Sequence, residues 1–268
     1  MQIHTSCRVS LSKMISEDSM VINNEHKVYG VFDGATPITP FFDDKGMNGA
    51  FIASNLFKKY FESNFLVNMT LSEGIIQANQ RLLEEMILNN VDVTFPENLW
   101  STCVALIKVE EIKSSFAQLG DCMILAEYHD NLIKILTKDT VNDISVRAKA
   151  RREKERQNGI YLPEENHYHD IKNQLVYNRR MANTSDGYTV ANGTNNVNKY
   201  INHGSIDTNN LKSILLITDG LYHPSMNLID VYKLIQHIGL EAYSLQLEKN
   251  EMESNLRSDD KAGILINF

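Results

Sequence analysis

The chain has 268 residues, 34 acidic and 26 basic side chains, a formal net charge of −8 and an apolar fraction of 43 %. These are the values of an ordinary globular protein, and the acidic balance argues against nucleic acid as the main partner, because phosphate backbones are bound by basic fields. Three cysteines with no C-x-x-C pair, no leader-like apolar run at the N-terminus and no stretch long enough to span a bilayer suggest a cytoplasmic chain without membrane contact.

In chain order, residues 19–23 and 27–32 read as two strands joined by a turn at Asn24-Glu25. Apolar residues at helical spacing predict helices over 48–63 and 71–90, the second opened by the capping box Thr70-Leu-Ser-Glu73. Strands follow at 102–109, 115–119, 123–128 and 132–136, and their spacing suggests an antiparallel meander. Residues 142–210 change character, with a charged helix over 146–157 and then Asn-rich polar stretches. This region reads as a surface flap on a single domain of residues 1–268. A buried-type strand at 213–218, helices over 227–238 and 240–249, and a final strand at 262–267 close the chain. Strands, two helices, strands, two helices and a strand predict an α+β fold in which sheets pack together and helices cover them.

The aspartates carry the chemistry. Glu17-Asp18 precedes a strand, Asp33 follows one, Asp121 lies between two, Asp219 follows one and Asp259-Asp260 precedes the last. A single Asp-Gly after a strand reads more readily as a plain turn than as a ligand. The whole set, each member beside an apolar run, predicts carboxylates gathered at one end of a sandwich. Clustered carboxylates repel unless a cation lies between them. With only hard oxygen donors recurring in these motifs, that cation is Mg²⁺ or Mn²⁺ in preference to Zn²⁺ or Cu²⁺. Glycine after Asp33 and Asp219 is expected to let the backbone turn sharply and present a carbonyl.

The motifs are SEDSM at 16–20, VFDGA at 31–35, LGDCM at 119–123, ITDGL at 217–221 and SDDKAGILI at 258–266. In this order and spacing they resemble the signature of the metal-dependent protein phosphatases of type 2C, in their bacterial stand-alone form. The resemblance implies a central β-sandwich of two antiparallel sheets flanked by helix pairs. It implies two Mn²⁺ or Mg²⁺ ions, with Asp33 bridging them, the Gly34 carbonyl on one, and Asp219 and Asp259 completing the other. Glu17 and Asp18 would hold waters on the ions, and Asp121 would match a third, weaker site. It implies hydrolysis of phosphoserine or phosphothreonine in a protein substrate, opposed to a Ser/Thr kinase, by water that the two cations activate.

Three departures stand out. Lys13 occupies the position of an arginine that binds the substrate phosphate, and lysine lacks the bidentate fork. Ala35 replaces a histidine found after Asp-Gly in eukaryotic members, so the leaving group would take its proton from water. His223 stands where many members have an acid. These departures leave room for a catalytically idle phosphoprotein-binding relative, or for a metallohydrolase of small phosphate esters. Elsewhere, the helix with six basic residues between Arg147 and Arg156 reads as a charged face or as a patch that steers acidic substrates. His167 and His169 read as a solvated loop, and Arg179-Arg180 has no assigned role. No phosphate-cradling glycine loop occurs.

Overall fold

The computed structural model describes residues 1–268. It begins with a strand that the apolar pattern did not reveal, β1 (Gln2–Arg8), whose side chains are mostly exposed. The hairpin that follows is β2 (Asp18–Asn23) and β3 (Val28–Ala35). Next come α1 (Gly49–Ser63) and α2 (Leu71–Leu88). Asn48 caps α1 by accepting from the Phe51 amide, and Thr70 and Glu73 form the expected capping box on α2. The central strands are β4 (Ser101–Lys108), β5 (Lys113–Leu119), β6 (Met123–Tyr128) and β7 (Ile133–Ile135). After α3 (Ile144–Gln157) and α4 (Ile171–Arg179) come β8 (Asn202–Asp207), β9 (Leu211–Ile217), α5 (Leu228–Ile238), α6 (Leu240–Glu253) and β10 (Lys261–Asn267). No helix is long and apolar enough to cross a membrane.

The strands form two antiparallel five-stranded sheets, ordered β1-β10-β9-β6-β7 and β2-β3-β4-β5-β8. Their inner faces meet through Tyr29, Val31, Ala105, Ile124, Ile214, Leu216, Ile264 and Ile266. The outer face of the second sheet carries Phe32, Val104 and Leu106 and is covered by Phe57, Phe61, Ile75 and Leu82 of α1 and α2. The outer face of the first carries Leu215, Ile217 and Leu265 and is covered by Val231, Ile235, Tyr243 and Leu247 of α5 and α6. Burial on both faces explains why the central strands read as continuous apolar runs without alternation. This is the α+β sandwich with flanking helix pairs that the sequence implies.

The structure corrects three expectations. The meander is split: β4 and β5 belong to one sheet, β6 and β7 to the other, and the chain crosses between them at Gly120-Asp121-Cys122. Gly120 turns that corner at φ +84°, a conformation that favours glycine. Residues 142–210 do not all form a flap, because β8 pairs with β5 at the edge of a main sheet. Nor is the basic helix a free patch. Arg152 is buried between the Tyr168 and Tyr177 rings, 4.0 and 4.9 Å from their centroids, and pairs with Glu165. Arg156 pairs with Glu165 and Arg151 with Glu155, while Arg147 donates to the carbonyls of Asn142 and Gly187. Four of the six bases therefore hold the flap together, and only Lys149 and Lys154 stand exposed. His167 and His169 lie exposed on a short turn.

Candidate metal and phosphoester site

Strand ends and crossovers carry the acidic groups to one edge of the sandwich. Asp33 lies within β3, not after it. There it faces Asp18 across β2 and Cys103 across β4. Asp121 sits at the crossover between sheets, its carbonyl accepting from the Tyr222 hydroxyl. Asp219 opens the turn after β9, and Asp259 precedes β10. A cavity of about 250 Å³ is lined by Lys13, Glu17, Asp33, Gly34, Asp121, Asp219 and Asp259. Asp18 lies opposite Asp33 in the register of β2 and β3 and is buried, at 6 % exposure. The flap supplies another part of the lining through Ile144, Leu175, Asn178 and Arg179.

The glycines beside Asp33 and Asp219 serve close approach, Gly34 within a strand and Gly220 within the short turn after β9. Gly34 is in regular strand geometry paired with Thr102, and a Cβ there would overlap the Ala50 carbonyl. At Gly220 a Cβ would overlap the Asp260 carbonyl. Neither has a positive φ. Their missing side chains let the chain segments that bear Asp33 and Asp219 press against Ala50 and Asp260.

Burial and mutual repulsion raise the affinity of these carboxyls for protons. Burial pushes Asp33 well above the usual carboxylate range, and the charges of Asp18, Asp219 and Asp121 push it further. Burial does the same to Asp18, with the Thr218 hydroxyl opposing and Asp219 adding to it. Asp121 is pushed up to about 7 by burial and by Asp219. Burial also raises Asp219, and Asp259 adds to the shift. Two buried oxygens, Asp18 Oδ2 and Asp121 Oδ1, have no hydrogen-bond partner. Orphaned carboxylate oxygens among repelling neighbours fit hard divalent cations. One soft donor intrudes: Cys122 Sγ lies within 4.8 Å of ligand atoms of both Asp33 and Asp121.

Several neighbours of the site have partners that the sequence did not assign. Asp260, at 2 % exposure, anchors the N-terminal loop: its carboxylate accepts from the Ser10 and Glu17 amides, both at 2.8 Å, and from Lys13 Nζ at 2.8 Å. Its neighbour Asp259 is half exposed and turned to the cavity. Glu17 accepts from Lys13 Nζ at 2.7 Å, from Thr36 Oγ1 at 2.9 Å and from Asn48. His223 accepts from the Ser225 amide and borders a side pocket shared with Asp219 and Asp259. The pairing of Asp259 with Asp260 was visible in sequence, but nothing there said which would be buried. Thr36 and Asn48 lacked any pattern to mark them, while Cys122 stood inside the LGDCM motif and Arg179 beside Arg180 with no role assigned to either.

Comparison with known proteins follows the same lines. No curated protein matches the chain. Solved structures do match. PppA, a key regulatory component of T6SS in Pseudomonas aeruginosa, superposes with a TM-score of 0.63 at 14 % identity, covering 100 % of this chain and 97 % of its own. Serine/threonine phosphatase Stp1 from Staphylococcus aureus gives 0.60 at 17 % identity, covering 100 % and 94 %. The catalytic domain of the serine threonine protein phosphatase PstP, in complex with two manganese ions, gives 0.61 at 13 % identity, covering 99 % and 97 %. At such identities the likeness is one of fold. The family model for protein phosphatase 2C matches residues 12–258, nearly the whole length, and the chain belongs to that family.

Proposed function

We propose that the protein hydrolyses phosphoserine or phosphothreonine in protein substrates, with two divalent cations, Mn²⁺ or Mg²⁺, as cofactors. One observation carries the reading: Asp33, Asp121, Asp219 and Asp259, drawn from four distant chain segments, line a single cavity. Family membership and the manganese-bound PstP relative support it. In this reading Asp33, Asp219 and Asp259 are the direct ligands, with the Gly34 carbonyl. Asp18 and Glu17 hold surrounding waters, and Asp121 serves a third, weaker position. When bound, the cation pair supplies an acidified water and charge neutralisation at the phosphoryl group.

The chain's own groups do the rest. Burial keeps the local dielectric low, so fixed charges act strongly on an entering phosphate. Asp260 and Lys13 hold Glu17 in position beside Thr36. The hydroxyl of Thr102 donates to the Asp33 carbonyl at 2.9 Å and fixes the strand that bears the central carboxylate. Ile144 and Leu175 of the flap narrow the cavity with apolar surface. A cytoplasmic setting and an opposing Ser/Thr kinase belong to the same reading.

The test is a substrate panel of phosphopeptides, sugar phosphates and nucleotides, with Mn²⁺, with Mg²⁺ and with chelator. Cation-dependent turnover of phosphopeptides is the expected result. Turnover confined to small esters would replace the protein substrate. No turnover, with no binding of Mn²⁺ at millimolar concentration, would leave an idle relative.

A further inference from the structure

Lys13 stands where the family's phosphate-binding arginine is expected, yet its charge is already committed. Nζ donates to Glu17 Oε2 at 2.7 Å and to Asp260 Oδ2 at 2.8 Å, and lies 3.7 Å from Asp259 Oδ1. The Glu17 and Asp260 side chains are only 7 % and 1 % exposed. Turning the ammonium toward a substrate would leave two buried carboxylates unpaired, which is costly. Lys13 holds the N-terminal loop to the strand β10 end of the site, and a phosphate would compete poorly for it.

A second cation lines the same cavity. Arg179, the last residue of α4, is half buried there. Its partners are neutral: Nη1 donates to Ser101 Oγ at 3.1 Å and Nη2 to the Thr36 carbonyl at 3.0 Å, with the Tyr188 hydroxyl beside it. No carboxylate pairs with it, although its neighbour Arg180 faces Glu97 at 3.8 Å. A guanidinium has five N–H donors in a planar fork, so these two bonds leave donors free. Thr36 connects the two halves of the site. Its hydroxyl bonds Glu17, its carbonyl accepts from Arg179, and it lies three residues beyond Asp33. Arg257 also reaches the cavity rim, but it is exposed, where water screens it.

We infer that Arg179, not Lys13, is the residue that contacts the phosphoryl group of the substrate. The inference rests on the phosphatase reading above and adds to it a specific recognition residue carried by the flap. An unpaired guanidinium bordering a cavity of carboxylates gains most from a dianion. A guanidinium bond to a phosphate oxygen carries charge on both partners, whereas the bonds to Ser101 and Thr36 carry it on the donor alone, so phosphate is the stronger acceptor. The same contact couples the flap to the site, because the helix that supplies Arg179 also supplies Leu175 and Asn178 to the lining. The rival role is a mere staple that holds α4 to the β3 and β4 ends.

Arg179→Gln and Arg179→Lys separate the two. Glutamine keeps a neutral donor for the staple and removes the charge, while lysine keeps the charge and loses the fork. With the Mn²⁺-loaded protein, the KM for a phosphopeptide, the inhibition constant of inorganic phosphate and its dissociation constant by calorimetry are measured. Arg179→Gln is expected to raise all three by about ten- to a hundredfold, and Arg179→Lys to recover part of the loss. Circular dichroism and Mn²⁺ affinity should match the wild type. A staple alone predicts that affinity for inorganic phosphate stays within twofold, and that result overturns the inference. Wild-type protein that fails to turn over the peptide overturns the phosphatase reading and this inference together. Wild-type turnover with unchanged phosphate affinity in Arg179→Gln overturns the inference alone.

Discussion

Asp18 stands directly opposite Asp33 in the antiparallel register of β2 and β3. Paired residues project from the same face of a hairpin, and like charges so opposed destabilise it. Burial adds to the strain and raises both carboxyls. This has a consequence for stability against pH. A carboxyl whose folded-state value is raised binds more protons in the native than in the unfolded chain, so stability falls as pH rises. The window runs from the ordinary aspartate value near 3.8 up to about 7, the value reached by Asp121. Cation-free protein should therefore melt at progressively lower temperature between about pH 4 and pH 7. Saturating Mn²⁺ should flatten that decline, and Asp121→Asn should reduce it. Thermal scans across pH, with and without chelator, provide the check. A flat profile in chelator would show that the carboxyls are not crowded.

Asp33→Asn should act in opposite directions with and without cation. Removing the central charge relieves Asp18, Asp219 and Asp121, so the variant should be more stable than wild type in chelator. In Mn²⁺ the order should reverse. A ligand at a hundred times its dissociation constant stabilises by about 2.7 kcal/mol, and the variant should gain little of this. Phosphopeptide hydrolysis should fall at least about a hundredfold, the equivalent of about 2.7 kcal/mol of lost cation assistance. Denaturation curves in both conditions, beside initial rates, test the crossing. A variant destabilised equally in both conditions would point to packing instead of charge.

Lys13→Ala should damage the fold more than substrate binding. The ammonium neutralises two buried carboxylates, and their hydrogen bonds hold it above its ordinary value although burial alone would lower it. Removing one partner of a buried pair is costly, and the partial exposure of Lys13 moderates the loss to about 1–3 kcal/mol. Chemical denaturation measures this directly. The dissociation constant for inorganic phosphate should change less than in Arg179→Gln. The reverse ranking would return the phosphate to Lys13.

The features legible in the sequence were those with a short-range signature. Apolar periodicity marked α1, α2 and α5 because each buries a single stripe on one sheet. The five aspartate motifs were readable because each sits beside a buried strand. Features that depend on long-range pairing were hidden. Strand β1 is mostly exposed and owes its place to pairing with β10 at the far end of the chain. The crossover at Gly120 splits two hairpins between sheets, a relationship that spacing alone does not encode. The glycines after Asp33 and Asp219 were visible, but their reason was not. Contact with Ala50 or Asp260 comes only from packing. Gly220→Ala is accordingly expected to cost about 1–3 kcal/mol, as overpacking does, measured by urea denaturation of cation-free protein.

The basic helix offers the sharpest contrast between composition and role. Six bases in twelve residues invite a reading as a docking patch, yet Arg152 is 2 % exposed and stacked between two tyrosines. A buried guanidinium paired with Glu165 and flanked by aromatic faces is a fastening, because cation–π contacts strengthen when desolvated. Arg152→Ala would strand Glu165, which Arg152 holds below its ordinary value, and open a gap between Tyr168 and Tyr177. The loss should be local, since the flap's small cluster of Ala148, Tyr168, Tyr177 and Met181 is separate from the three main cores. Hydrogen exchange should therefore rise across residues 144–181 by about tenfold or more, with little change in β3, β4 or β9. Because Leu175, Asn178 and Arg179 line the cavity from that flap, the KM for phosphopeptide should rise with it while Mn²⁺ affinity stays near the wild-type value. Uniform loss of protection throughout the molecule would instead make the flap part of the cooperative core, and unchanged protection would return Arg152 to the role of a surface charge.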